Sequence, residues 1–117
     1  MQKAEKMQEL RVFAQEIRLE TLKTIGSLGF GHVGGSMSII DALAVLYGEV
    51  MNIDPKNPRW EGRDWFVLSK GHGGPVMYAT LGLKGYYPVE KAYTLNQPGT
   101  DFPSHTDRSK TIGVDLT

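Results

Sequence analysis

Met7, Leu10, Ala14, Ile17, Thr21 and Ile25 recur at three- and four-residue steps, with Lys6, Glu9, Glu16 and Lys23 spread around them. This spacing predicts an amphipathic helix. It should stop in a glycine-rich stretch, with Gly26 as a C-terminal cap and Ser27 to Gly35 as loop. A second helix is predicted to begin near Ser36 or Ser38, because Ser38 and Asp41 fit a capping box and Ile39, Ile40, Leu43, Leu46, Tyr47 and Val50 follow at helical spacing. It is apolar on most faces, which predicts burial. The run NIDPKNPRWEGRD, with its prolines, asparagines and alternating charges, reads as a surface connection. Trp65, Phe66, Val67 and Leu68 then form a short apolar block of β-formers, as expected of a strand buried on both faces. SKGHGGP follows directly, and Val76 to Leu83 suggests a further helix. A short helix is predicted from Pro88 to about Leu95, and loop signals alone from Asn96 to Thr117. The fold class is therefore α/β, with a strand, a glycine turn and a helix in succession. One strand cannot complete a doubly wound sheet, so the expectation is a truncated domain.

A chain of 117 residues is one domain or part of one, since domains commonly run to about 100–150 residues. Lys plus Arg and Asp plus Glu balance at 13 each, which leaves no field of one sign to attract phosphate backbones or anionic lipid. Nucleic acid is thus not an expected partner. The absence of cysteine removes disulfides, thiolate nucleophiles and thiolate metal sites together. The N-terminal segment lacks the apolar block of a secretory signal, and no apolar run approaches the ~20 residues of a membrane span. No membrane partner is expected, and the cytoplasm is the default location.

Glycines at 26, 29, 31, 34 and 35 crowd one loop, where the backbone can approach a ligand closely. GFGHVG matches the spacing of a dinucleotide fingerprint, and Asp54 lies about 20 residues further on. The match fails on context: the fingerprint needs a strand before its glycines, and here a helix precedes them. A helix–helix turn is the plain alternative. His32 within the cluster, ahead of a helix N-terminus with free N–H groups, points instead to an anion or hydroxyl ligand. His32, His72 and His105 all lie in loops, where any one alone reads as a solvated imidazole. Their wide separations fit no compact metal motif. Together they suit a polar site that handles hydroxyl and phosphate groups, because a neutral imidazole donates from one nitrogen and accepts at the other. No GxSxG or Walker sequence is present.

Three ordered blocks carry a more specific signal: GHVGGSMSIIDALAVLYGEVMNIDP, DWFVLSKGHGGPVMYATL and SHTDRSKTIGVDLT. They resemble the opening blocks of transketolase, and most of all the separately encoded N-terminal subunit of split bacterial transketolases. The resemblance runs from about Arg18 to Thr117 and implies that residues 1–117 are the N-terminal part of a domain binding the diphosphate of thiamine diphosphate. It implies a role for each histidine. His32, in GHVGG, matches a histidine at the reacting end of the cofactor that contacts the sugar and assists proton movement. His72, in SKGH, matches one that reaches the cofactor's diphosphate. His105, in SHTD, matches one that hydrogen-bonds the donor's carbonyl-end hydroxyls. Thr117 would lead into a run whose backbone lies against the cofactor.

The implied reaction is transfer of a two-carbon ketol unit from a ketose to an aldose, usually as phosphates. Phe30 and Thr106 depart from the family pattern, standing where a small polar residue and a proline are usual. The metal-binding GDG motif is absent too, so the ligands of the implied Mg2+ are expected outside this chain. The glutamate that activates the aminopyrimidine belongs to a partner half, so the resemblance implies a C-terminal transketolase subunit, a homo- or hetero-oligomer, and no activity for this chain alone. Two other readings stay open: a related thiamine enzyme such as deoxyxylulose-phosphate synthase, and a non-catalytic module that docks on a transketolase half.

Overall fold

The structure, a computed structural model, describes residues 2–28, 38–69, 73–95, 97, 99–103 and 106–115. Helix α1 spans Gln2–Leu28, about 40 Å at 1.5 Å per residue. Its predicted stripe is buried from Ala14 onward, through Ile17, Thr21 and Ile25, while Met7 stays half exposed. The buried Thr21 hydroxyl donates to the Ile17 carbonyl at 2.6 Å, which meets its hydrogen-bonding need inside the helix. Gly26 does not end the helix, contrary to expectation. Its cost inside a helix is only about 1 kcal/mol relative to alanine, and the buried Thr24 and Ile25 anchor the turn around it.

Helix α2 covers Ile40–Val45 and continues as a π turn over Leu46–Val50. Ile39 occupies the capping position and no side chain caps there, so the helix starts after Ser38 rather than at it. Nor is α2 buried all round: Ile40, Leu43, Ala44 and Tyr47 face the core, whereas Val45 and Val50 are exposed. The connection that follows lies on the surface. It is closed at its base by Asp64 N–H donating to the Asn52 carbonyl and Asn52 N–H donating to the Asp64 carboxylate, each at 2.7 Å.

Residues 64–69 run on without forming a strand, and no strand occurs among the described residues. Phe66 packs edge-on against Tyr47 with ring centroids 5.9 Å apart, and Leu68 is buried. Trp65 and Val67 are 53% and 45% exposed. The expectation of burial on both faces is therefore corrected. Side chains alternate across an extended backbone, and the described helices cover only the Phe66 and Leu68 side.

Helix α3, Gly74–Lys84, is the central element: residues 74 to 82 are all buried. α1 packs along it, as well as against α2 and a 3₁₀ segment at Val89–Thr94. Gly85 ends α3 in the left-handed region at φ +99°, a conformation that glycine adopts without penalty. Gly82 is needed for a different reason. A Cβ there would lie 2.8 Å from the backbone Cα of Val89 and 2.9 Å from its Cγ2, so the 3₁₀ segment can approach only because that side chain is missing. Helix propensity alone would make Gly82→Ala stabilising by about 1 kcal/mol. Overpacking against backbone costs about 1–3 kcal/mol and should win, so chemical denaturation is expected to show a net loss of stability. A gain would mean that the 3₁₀ segment yields freely.

The C-terminal stretch wraps back over α3. Phe102 sits against both Tyr78 and Tyr87, at centroid distances of 5.2 and 5.0 Å, and Val114 joins the same core.

Candidate functional site

Several described segments that flank the candidate residues meet where the 64–69 segment ends and α3 begins. Gly73 occupies the capping position of α3 with no side-chain cap, and Pro75 stands in the first turn. A Cβ on Gly73 would come within 3.3 Å of Ile39 Cδ1 and 3.4 Å of Leu68 Cδ2. The start of α2, the end of the extended segment and the start of α3 therefore meet at this glycine.

Two further segments are tied to the same junction. Tyr78, just over one turn into α3, donates its hydroxyl to the Pro103 carbonyl. The Tyr87 hydroxyl in turn donates to the Tyr78 carbonyl at 2.7 Å. Burial pushes both hydroxyls well above the ordinary tyrosine range, so they stay protonated and act as donors. Asp115 accepts from Arg63 Nε at 2.8 Å and from the Phe66 backbone N–H at 2.9 Å. Tyr86, raised to about 12 by burial and secondarily by the Asp115 charge, lies close to that pair.

His32, His72, His105 and Thr117 lie outside the described residues, as does Phe30. What the structure describes is the set of positions from which they depart. Ile39 follows the GHVGG block, Ser69 and Gly73 bracket SKGH's last residues, Pro103 and Thr106 bracket Ser104 and His105, and Asp115 precedes Leu116 and Thr117. Of these flanks, Ile39 lies against Gly73 at the start of α3, Pro103 accepts from Tyr78 of α3, and Asp115 accepts from Phe66 of the 64–69 segment. Thr106 is buried, and the turn after it is closed by Asp107, whose carboxylate accepts from Ser109 N–H at 2.9 Å and Ser109 Oγ at 2.7 Å. The hydroxyl bond first, and the amide bond second, lower the Asp107 pKa.

Sequence reasoning missed Arg63, Tyr78 and Asp115. A single charge inside the apolar run IGVDL was the available signal for Asp115, because a lone carboxylate amid core residues needs a partner. Among the described residues there is no group of acidic or histidine side chains suited to a metal ion, and no helix long and apolar enough to cross a membrane.

The N-terminus of α3, entered through Gly73 and Gly74 without a side-chain cap, is a place where backbone donors can meet an anion. Comparison with known proteins makes the assignment specific. The family model for "Transketolase, thiamine diphosphate binding domain" matches residues 10–117, and the chain belongs to that family. It is 56% identical over 114 residues to the 6-deoxy-6-sulfo-D-fructose transketolase subunit SqwG of Clostridium sp. (strain MSTE9), covering 97% of this chain and 42% of that protein. A transketolase of Treponema pallidum is 38% identical over 92% of the chain and 16% of its own length. Among solved structures, transketolase from Leishmania mexicana superposes with a TM-score of 0.85 at 34% identity, over 90% of this chain and 16% of that one. The chain thus spans less than half the length of these relatives.

Proposed function

We propose that residues 1–117 form the N-terminal part of the diphosphate-binding domain of a transketolase, an enzyme that moves a two-carbon ketol unit from a ketose to an aldose. The observation that carries this reading is the convergence of the flanks of GHVGG, SKGH and SHTD on the junction of residues 64–69 with α3. Blocks far apart in sequence are useful to one ligand only if the fold gathers them. The 64–69 segment, open on its Trp65 and Val67 side, is then the strand of an α/β domain whose neighbouring strands lie elsewhere in the enzyme.

The described residues fit the cofactor's diphosphate in one respect. The uncapped N-terminus of α3, with glycines at 73 and 74, leaves amide donors and a positive dipole end for an anion. Among the described residues no group of acidic or histidine side chains is suited to Mg2+, and the metal's ligands are assigned to another part of the enzyme. When bound, thiamine diphosphate supplies the nucleophilic carbon and the electron sink. The chain's own residues then orient and neutralise: His72 hydrogen-bonds the diphosphate, while His32 and His105 hold the hydroxyls of the sugar and shift protons at its oxygens. The partner is the half or subunit that completes the cleft. The relative named for 6-deoxy-6-sulfo-D-fructose adds a sulfonated ketose to the ketose phosphates as donors worth testing.

The test uses the complete enzyme that carries this chain, supplied with a ketose donor and an aldose acceptor. Ketol transfer is expected; pyruvate decarboxylation instead would favour the deoxyxylulose-phosphate synthase reading, and co-purification with a transketolase half without turnover would favour a docking module. In the same enzyme, His72→Ala should raise the thiamine diphosphate dissociation constant by roughly tenfold to a hundredfold, the scale of one charge-assisted hydrogen bond. An unchanged calorimetric isotherm would remove His72 from the diphosphate site.

A further inference from the structure

Among the described ion pairs, Arg63 and Asp115 stand apart: each side chain is 7% exposed, whereas Lys6–Glu49 is 38% and 51% exposed and Lys23–Glu20 is 50% and 13% exposed. Its atoms are thoroughly engaged. Arg63 Nε donates to Asp115 Oδ1, and Arg63 Nη1 donates to the Trp60 carbonyl at 2.8 Å. The guanidinium also lies over the Trp65 ring, 4.4 Å from its centroid. Asp115 Oδ2 accepts from the Phe66 backbone N–H. Stability does not account for such a pair, because well-packed apolar side chains of similar volume are often as stabilising or more so. Geometry does account for it. The pair adds to the Asn52–Asp64 bonds and to the packing of Phe66 and Leu68 in setting the register of the 64–69 segment, where a slip of one residue would turn Phe66 outward and Val67 inward. The carboxylate takes the place of a neighbouring strand at one amide only, that of Phe66.

We infer that Arg63 and Asp115 are positioning residues for the diphosphate site: they fix the segment that leads into Lys70–His72 against the segment that leads into Leu116–Thr117, and so set cofactor affinity. This inference rests on the transketolase reading above. Neither side chain touches the cofactor; each acts through the backbone it holds.

The experiment uses the complete enzyme and measures binding of thiamine diphosphate with Mg2+, turnover at saturating cofactor, melting temperature and amide hydrogen exchange. Asp115→Asn keeps the side chain's size and an acceptor for Phe66 but removes the charge. A double variant, Arg63→Met with Asp115→Leu, replaces the pair by apolar bulk and guards against simple unfolding. Both are expected to raise the cofactor dissociation constant about tenfold, leave turnover at saturation within about twofold, and speed exchange over residues 66–73. The double variant should regain melting temperature without regaining affinity. If affinity returns together with stability, or if both variants bind as the unsubstituted enzyme does, the pair is merely structural and the inference fails. If the unsubstituted enzyme binds no thiamine diphosphate at all, the functional reading fails first and this inference with it.

Discussion

His105→Ala, in the complete enzyme, is expected to lower turnover by about 10²–10³-fold, the loss typical of one hydrogen-bond donor aimed at charge that develops in the transition state. Cofactor affinity should barely move, since the proposed contact is to the sugar donor. Two residues before His105, Pro103 is anchored to Tyr78, and Phe102 is wedged between Tyr78 and Tyr87. Steady-state kinetics at saturating cofactor, beside a calorimetric titration, separates the two effects. Collapsed thiamine diphosphate binding with intact turnover would contradict the proposed role.

The largest effect on stability is expected at Tyr78. The residue is fully buried in the middle of α3, it packs on Phe102, and its hydroxyl serves the Pro103 carbonyl. Truncating a large aromatic side chain in a core costs about 3–5 kcal/mol, and Tyr78→Ala should fall in that range. Tyr78→Phe keeps the ring and removes only the hydrogen bond, at about 1 kcal/mol. Urea denaturation followed by the fluorescence of Trp60 and Trp65 measures both. A loss from Tyr78→Ala no larger than that from Tyr78→Phe would show that the core closes over the gap, and that α3 is not the anchor described.

What could be read from the chain before its structure follows the range of each interaction. The α1 stripe, α3 and the short Pro88–Leu95 helix were legible because helical periodicity and proline placement are local properties. Membership of the family was legible for a similar reason, as each of the three blocks is a short contiguous motif. The failures lie where tertiary contact overrides local preference. Gly26 reads as a stop signal, yet the turn around it is held by Thr24 and Ile25 packing into the core. Ser38 and Asp41 read as a capping box, yet the helix starts later, at Ile40. Trp65 to Leu68 read as a strand with two covered faces, but an apolar run does not reveal which neighbours will cover it. Arg63 and Asp115 were invisible as a pair because 52 positions separate them, and charges in a connection and in a tail ordinarily belong to solvent.

That separation also bears on the order in which the molecule assembles. Closing a flexible loop of 52 residues costs about 3.5 kcal/mol of chain entropy, by the logarithmic length law. Contacts within α1 and α3 close far shorter loops, and helices form on the microsecond scale. The individual helices are therefore ready before the clamp can shut, but docking α1 on α3 and on the 3₁₀ segment closes loops at least as long, as the Tyr93–Glu20 bond across 73 positions shows. Core and clamp therefore close over comparable lengths of chain, and compactness and the register of the 64–69 segment are expected to arrive together.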